Sequence, residues 1–185
     1  MSYEFELTRR VEFSETDLAG IMHFSNFFRF MESAEHAFFR SLGFSVAHCR
    51  NGLEVCLPRV HAECDYAAPL RFEDEVQVRL LVERKGRRSL TYQFRFTRLN
   101  GSHPQQVASG RLTVACVERQ ANGAMKAVPL PKAIADKIQQ APARILRGGS
   151  PPPASSFSQR DGSPHGRPKL SGHPRSRTTP LSIPR

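Results

Sequence analysis

The sequence contains no tryptophan and only four cysteines, none of them in a CxxC pair. Since none of the four has a neighbouring histidine at zinc-ligand spacing, nothing indicates a structural zinc site. No stretch approaches the roughly 18–20 apolar residues of a membrane-spanning helix, and the first ten residues lack the apolar run of a secretory signal. We therefore expect a cytoplasmic protein with reduced thiols, no membrane partner and no metal.

Apolar side chains are also scarce at the carboxyl end. Residues 145–185 contain 8 of the 14 prolines, a single aromatic residue and +6 of the net charge of +10. Such a composition cannot bury enough apolar surface to offset the entropy lost on ordering. We therefore predict a folded domain at 1–144 and a disordered basic tail, rich in proline, serine and arginine, at 145–185. A solvated tail without a dedicated partner is favoured over one that binds nucleic acid, and a shifted reading frame would give the same composition.

The body shows two kinds of apolar pattern. Residues 3–13 alternate between apolar and polar, which predicts a half-buried strand. Apolar steps of three and four residues then predict a long helix from about 25 to 42, closed by Gly43. Alternation returns at 60–66, 76–82, 90–97 and 107–117, and a short helix is predicted at 129–140. This order predicts an α+β fold, an antiparallel sheet with one helix lying on it.

The loop between the first strand and the helix carries residues that suggest chemistry. Asp17 and Gly20 lie within about ten residues of the predicted helix start. Free N–H groups and partial positive charge at a helix start can stabilise a developing oxyanion, and a nearby carboxylate can attack a carbonyl or activate water. The combination fits an acyl-transfer site, although a turn often contains an aspartate and a glycine without any catalytic role.

The sequence VEFSETDLAGIMHFSNFFRFMESAEHAFFRSLG, at residues 11–43, resembles the 4-hydroxybenzoyl-CoA thioesterase-like family of hot-dog proteins. Weaker likenesses occur at 66–74 (YAAPLRFED) and 86–89 (GRRS), and the resemblance covers about residues 3–140. It implies a hot-dog fold, in which a curved antiparallel sheet wraps around one long central helix. It also implies homodimers with shared active sites, frequently paired into tetramers.

The resemblance also implies roles for residues around the helix start. Asp17 corresponds to the catalytic carboxylate, which acts as nucleophile or general base, and the backbone N–H near Phe24 would polarise the thioester carbonyl. Gly20 would allow close backbone approach to the substrate, and Asn26 would cap the helix or line the pocket. Many relatives have tyrosine followed by histidine where this chain has His23 and Phe24, so His23 either lines the site or is a hydrogen-bonded structural residue.

Two further groups are candidate substrate-binding residues. Glu32 lies two turns into the helix, where it either faces the pocket as a second carboxylate or forms a surface pair with His36, four residues on. The basic turn that ends with Arg87, Arg88 and Ser89 would suit the phosphates of CoA at a pocket mouth, against the alternative of an ordinary basic turn between strands.

The sequence therefore predicts an acyl-CoA thioesterase that uses neither a metal nor an organic cofactor. The alternative is a non-catalytic hot-dog module that binds an acyl group or serves as a scaffold, with a tail that binds nucleic acid. A hot-dog hydratase is a lesser option. The acyl group stays undefined, because Phe24, Phe27 and Phe28 suit an apolar pocket and a protein core equally well.

Overall fold

The long helix α1 (Ser25–Ser41) packs against one face of an antiparallel sheet. The structure is a computed structural model that describes residues 1–45 and 55–148. The strands are β1 (Glu4–Arg10), β2 (Val55–Cys56), β3 (Arg59–Tyr66), β4 (Glu75–Lys85), β5 (Ser89–Arg98), β6 (Gln105–Ala115), β7 (Val117–Arg119) and β8 (Met125–Ala127), followed by the helices α2 (Lys132–Ala135) and α3 (Ala143–Arg147). Five strands form the main sheet, in the order β1-β4-β5-β6-β3, and β2, β7 and β8 form a small second sheet.

Aromatic side chains hold α1 against the main sheet. Phe30 and Phe38 on the helix are fully buried together with Phe94 and Phe96 on β5. The helix comes so close to β6 that a Cβ atom at Gly110 would lie 2.7 Å from the sulfur of Met31, so this position admits no side chain without a shift of its neighbours. The predicted α+β arrangement, one helix enclosed by an antiparallel sheet, is confirmed.

The end of α1 follows the predicted pattern. Leu42 caps the helix, and Gly43 adopts φ +83°, a left-handed conformation that glycine takes without steric cost. The N–H of Phe44 donates to the carbonyl of Phe39 at 2.9 Å, which satisfies one of the carbonyls left open at a helix end.

The carboxyl-terminal part of the domain differs from the prediction. The helix predicted at 129–140 is reduced to α2, because Ile138 is buried and pairs with Ser2 in a β-bridge. The predicted boundary at residue 144 falls inside α3, whose last carbonyls, those of Ile145 and Leu146, accept hydrogen bonds from Arg95 at 2.7 and 2.8 Å. The first three residues assigned to the tail are therefore helical, and the tail from residue 149 lies outside the described residues.

The register of the sheet defines two opposite ends. Tyr66 pairs with Ala108, which pairs with Phe96, whereas Arg59 pairs with Val114, which pairs with Leu90. Six residues along a strand span about 20 Å. The Tyr66 end and the Arg59 end of the sheet are therefore about that far apart within one chain.

Candidate active site

Asp17 lies at the tip of a small hairpin that precedes α1. Thr16 pairs with Met22, and the Asp17 N–H donates to the Ile21 carbonyl at 2.9 Å. One carboxylate oxygen of Asp17 accepts the N–H of Ala19 at 2.8 Å, and no hydrogen bond or ion pair within the described ranges engages the other. The half-buried carboxylate is therefore held by the backbone and keeps one oxygen available.

Gly20 closes this hairpin with φ +70°, a conformation that a turn requires and that glycine accepts readily. A Cβ atom built there would meet nothing within 4 Å. Within a single chain Gly20 is therefore an exposed turn residue, and the close substrate approach predicted for it stays a prediction.

The start of α1 presents an open backbone donor beside the hairpin. The His23 N–H donates to the Glu15 carbonyl at 2.9 Å, which fixes the helix start to the segment that leads into the Asp17 hairpin. The next amide, that of Phe24, donates to no group in the part of the chain that the structure describes. The Phe24 carbonyl accepts a 3.4 Å hydrogen bond from the Tyr66 hydroxyl, and Phe24 as a residue is 60% exposed. The Phe24 N–H is thus free to bind an external oxygen.

Two predicted site residues hold the helix start in place. Nδ1 of His23 lies 2.8 Å from the Ser25 hydroxyl, and its ring packs against Phe24 with the centroids 4.4 Å apart. Asn26 is buried, and its side-chain amide donates to the Glu15 carbonyl at 2.8 Å, so it ties the helix to the hairpin rather than capping it. Both contacts position Phe24, whether or not either side chain also meets substrate.

The middle of α1 carries a group of charges around Arg59. Glu32 is exposed over nearly half of its side chain, lies 3.8 Å from His36 and forms an ion pair with the Arg59 guanidinium at 3.0 Å. The same guanidinium donates to Glu35 at 2.7 Å. Glu32 therefore forms the predicted pair with His36 and also belongs to a cluster that links the helix to β3.

Glu35 is the functional candidate that the sequence did not identify. Its side chain is only 3% exposed, and burial raises its pKa to about 7, although the Arg59 charge lowers it. The usable signal was its spacing, since Glu35 lies four residues after Met31 and eight after Phe27, on the apolar stripe of α1. Glu35 also lines a cavity of about 290 Å³ beside the carboxyl-terminal half of the helix.

The basic turn lies far from Asp17 within one chain. Arg87 and Arg88 are exposed and Ser89 is half buried, at the Arg59 end of the sheet. Asp17 and Phe24 lie at the Tyr66 end, where the Tyr66 hydroxyl contacts Phe24. The structure thus brings together the residues predicted near the helix start and separates them from the predicted phosphate site by about 20 Å.

The described residues form neither a metal site nor a membrane-spanning helix. Across 1–45 and 55–148, no three His, Cys, Asp or Glu side chains converge in a way that could hold a metal ion. None of the helices in these two ranges combines the length and the apolar character needed to cross a bilayer.

Comparisons with known proteins agree with this geometry. A family model described as "Thioesterase-like superfamily" matches residues 11–138. The 1,4-dihydroxy-2-naphthoyl-CoA hydrolase of Synechococcus elongatus is 28% identical over 137 residues, which is 74% of this chain and 96% of that protein.

Solved structures show the same architecture. That of a hypothetical protein from Aquifex aeolicus is 32% identical, with a TM-score of 0.65, and covers 73% of this chain and 99% of its own. That of 4-hydroxybenzoyl CoA thioesterase from Pseudomonas sp. strain CBS-3 has a TM-score of 0.68 over 74% of this chain and 99% of its own, at 16% identity. At that identity the likeness shows a shared fold, and the predicted hot-dog fold is confirmed.

Proposed function

Since this chain belongs to the thioesterase-like superfamily, we propose that it hydrolyses the thioester bond of an acyl- or aroyl-CoA. The observation that carries the proposal is a backbone-held carboxylate, Asp17, in the hairpin that leads directly into α1, together with the unpaired N–H of Phe24 at the start of that helix, as far as the described residues go. The relative from Synechococcus elongatus is named as a hydrolase of such a thioester. The reaction yields a carboxylic acid and the free thiol of CoA.

The two groups have complementary tasks in this reaction. The Phe24 N–H donates a hydrogen bond to the thioester oxygen as negative charge develops on it, aided by the partial positive charge of the helix start. Asp17 either takes a proton from the water that attacks the carbonyl carbon, or attacks that carbon itself. In the first case the carbon–sulfur bond then breaks, and the CoA sulfur takes up the proton that Asp17 accepted. In the second case the carbon–sulfur bond breaks to release the CoA thiolate, water then cleaves the resulting anhydride, and the proton freed in that step goes to the thiolate.

We further propose that the enzyme is a homodimer formed through the open edge of β3. Two exposed apolar side chains, Val60 at 63% and Tyr66 at 42%, lie on this edge strand. Two-fold antiparallel pairing along the full strand places Tyr66 of one copy opposite Arg59 of the other. Pairing of such dimers into tetramers, as the family resemblance implies, is part of the same proposal.

This pairing would bring together predicted site residues that lie at opposite ends of the sheet in a single chain. The basic turn lies at the Arg59 end of the sheet, so the partner's turn would lie near the Tyr66 end that carries Asp17 and Phe24. The predicted contacts of Arg87, Arg88 and Ser89 with CoA phosphates would then be made across the interface.

The catalytic assignment is tested with an Asp17→Asn variant and a panel of acyl- and aroyl-CoA thioesters, followed by thiol release. We expect the wild type to hydrolyse at least one thioester and Asp17→Asn to lose about 10²- to 10⁴-fold in kcat, because the amide can neither accept the proton nor attack. Asp136→Asn, at an exposed carboxylate paired with Lys132, is the matched control and should keep full activity. Equal rates for wild type and Asp17→Asn would contradict the catalytic assignment. If the wild type hydrolyses no thioester of the panel, the non-catalytic module is favoured.

The shared site is tested by mixing two inactive variants. One carries Asp17→Asn, and the other carries Arg87→Ala together with Arg88→Ala. In a mixed dimer, one of the two sites combines an intact Asp17 with an intact basic turn from the partner. Random mixing should therefore restore about a quarter of the wild-type sites at low substrate concentration. No recovery after demonstrated subunit exchange would contradict a site built from two copies.

A further inference from the structure

An ion pair between Arg9 and Glu15 connects β1 to the segment that leads into the Asp17 hairpin. Glu15 ends a single 3₁₀ turn and is only 9% exposed. One of its carboxylate oxygens accepts from the Arg9 guanidinium at 3.0 Å, and the other accepts the Glu12 N–H at 2.9 Å. Both oxygens are engaged, so the side chain of Glu15 is fixed in one place.

Arg9 is itself fixed by contacts with α1. Its guanidinium carbon lies 4.0 Å from the centre of the Phe30 ring, and Nη1 donates to the Ser33 hydroxyl at 3.4 Å. A planar guanidinium can stack on a ring and donate in two directions at once, whereas the ammonium of a lysine is a point charge. The Glu15 carboxylate is therefore linked through Arg9 to the buried face of the long helix.

The backbone carbonyl of Glu15 accepts two hydrogen bonds from the start of α1. The His23 N–H donates to it at 2.9 Å, and the Asn26 side-chain amide donates at 2.8 Å. Phe24, whose N–H donates to no group within the described ranges, directly follows His23. Asp17 follows Glu15 by two residues. The carboxylate and the open amide of the proposed reaction are therefore both tied to this one peptide unit.

Stability alone does not account for a charged pair at this position. The desolvation of two charges can cost as much as their attraction returns, and apolar side chains in the same place often give equal or higher stability. A fully hydrogen-bonded charged network does, however, make one local geometry rigid. The geometry that depends on this pair is the separation between the Asp17 carboxylate and the Phe24 N–H.

We propose that Glu15, held by Arg9, is a positioning residue for thioester hydrolysis. Through its backbone carbonyl it sets the separation between the Asp17 carboxylate and the Phe24 N–H, and its side chain does not touch the substrate. Such a separation matters because a displacement of about 1 Å at a reacting centre can lower a rate about a hundredfold. This inference rests on the proposed thioesterase function.

The test uses Arg9→Ala and Glu15→Gln with the acyl- or aroyl-CoA that the wild type hydrolyses fastest, at a temperature where urea unfolding shows each variant to be folded. We expect kcat to fall by about ten- to hundredfold while KM changes by less than about threefold, because the lost interaction acts on the transition state. Arg10→Ala is the matched control. It removes the exposed pair of Arg10 with Glu75, at 3.3 Å and one residue further along β1, and should keep the wild-type kcat.

Restoration of activity separates positioning from a general loss of structure. Ethylguanidinium at millimolar concentration can occupy the space vacated in Arg9→Ala and should raise its kcat several-fold in a saturable manner, while the same concentration of sodium chloride should not. Arg9→Lys keeps the charge and should retain part of the activity. Equal kcat in the wild type, Arg9→Ala and Glu15→Gln would overturn the proposal. A fall in kcat that neither ethylguanidinium nor Arg9→Lys reverses would also overturn it.

Hydrogen exchange separates this inference from the proposed function, because it requires no turnover. The His23 amide should exchange about fivefold or more faster in Arg9→Ala and Glu15→Gln than in the wild type, while the β5 amides stay protected. If this holds while no thioester is hydrolysed, the contact between Glu15 and the helix start stands and the enzymatic function fails. If the wild type hydrolyses a thioester but neither kcat nor His23 exchange changes in the two variants, the inference about Glu15 fails alone.

Discussion

Glu35 should make the fold lose stability as the pH rises from about 4.5 to 7. Burial raises its pKa from 4.5 to about 7, and the Arg59 charge only partly opposes this. Between these values the folded protein holds a proton that the unfolded chain has released. The favourable contribution is therefore complete below pH 4.5 and is lost as the pH rises through 7. At about 1.4 kcal/mol per pKa unit, the free energy of unfolding should fall by about 3 kcal/mol.

The measurement is urea unfolding at pH 4 and pH 8, at one protein concentration, for the wild type and Glu35→Gln. Other groups titrate in both proteins, so the informative quantity is the difference between their pH dependences. The wild type should lose about 3 kcal/mol more than Glu35→Gln between the two pH values. Glu83→Gln, which loses an ion pair near the surface, should follow the wild type. Parallel curves for wild type and Glu35→Gln would show that the Glu35 carboxyl is ionised in the folded protein well below pH 7.

Three further changes test the packing. Gly110→Ala places a Cβ 2.7 Å from Met31, so urea unfolding should show a loss of about 1–3 kcal/mol. Gly43→Ala forces an L-residue to φ +83° and should lower the free energy of unfolding by about 1–2 kcal/mol, whereas an exposed substitution in α2 should not. Arg95→Met removes the two hydrogen bonds that hold the end of α3. Hydrogen exchange of the α3 amides should therefore become faster, while the β5 amides stay protected. Unchanged exchange in α3 would contradict a stabilising role for Arg95.

The apolar patterns that extend over many residues predicted the main elements well. The apolar steps and Gly43 located both ends of α1 to within one residue, and alternation located β3, β4, β5 and β6. These signals are local, because each reports which side of one segment faces the core. The order of strand, helix and strands, and with it the α+β class, followed from them, whereas the hot-dog fold was implied by the family resemblance.

The small second sheet was not predicted, because its strands have too few residues for a period. β2 has two residues and β7 three, and the apolar run at 107–117 hides the break at Cys116 between β6 and β7. The prediction of a longer helix at 129–140 failed for a related reason. Its end is set by the bridge between Ser2 and Ile138, two residues far apart in the sequence.

The residues of the candidate site also differ in whether neighbouring or distant parts of the chain determine them. Asp17 and Phe24 could be named as candidates because both lie in the one short segment that carries the family resemblance, and its hairpin and helix start form from neighbouring residues. The cluster around Glu35 was missed because its partners, Arg59 and Tyr92, lie 24 and 57 residues further along the chain. A carboxyl on the apolar stripe of a helix indicates that it needs a partner once buried, but the sequence does not show which residue that partner is.

The apolar alternation of β3 is not matched by a buried face in the single chain. Val60, Ala62, Cys64 and Tyr66 form the apolar side of the strand in the sequence, which normally indicates a face covered by the protein's own core. In the folded chain, however, Val60, Ala62 and Tyr66 are exposed, although β5, two positions away in the sheet, buries its aromatic residues fully. An apolar pattern on an edge strand that remains uncovered favours pairing with another strand. The catalytic and phosphate-binding candidates lie at opposite ends of this same sheet, so one two-fold contact would account for both the pattern and the divided site.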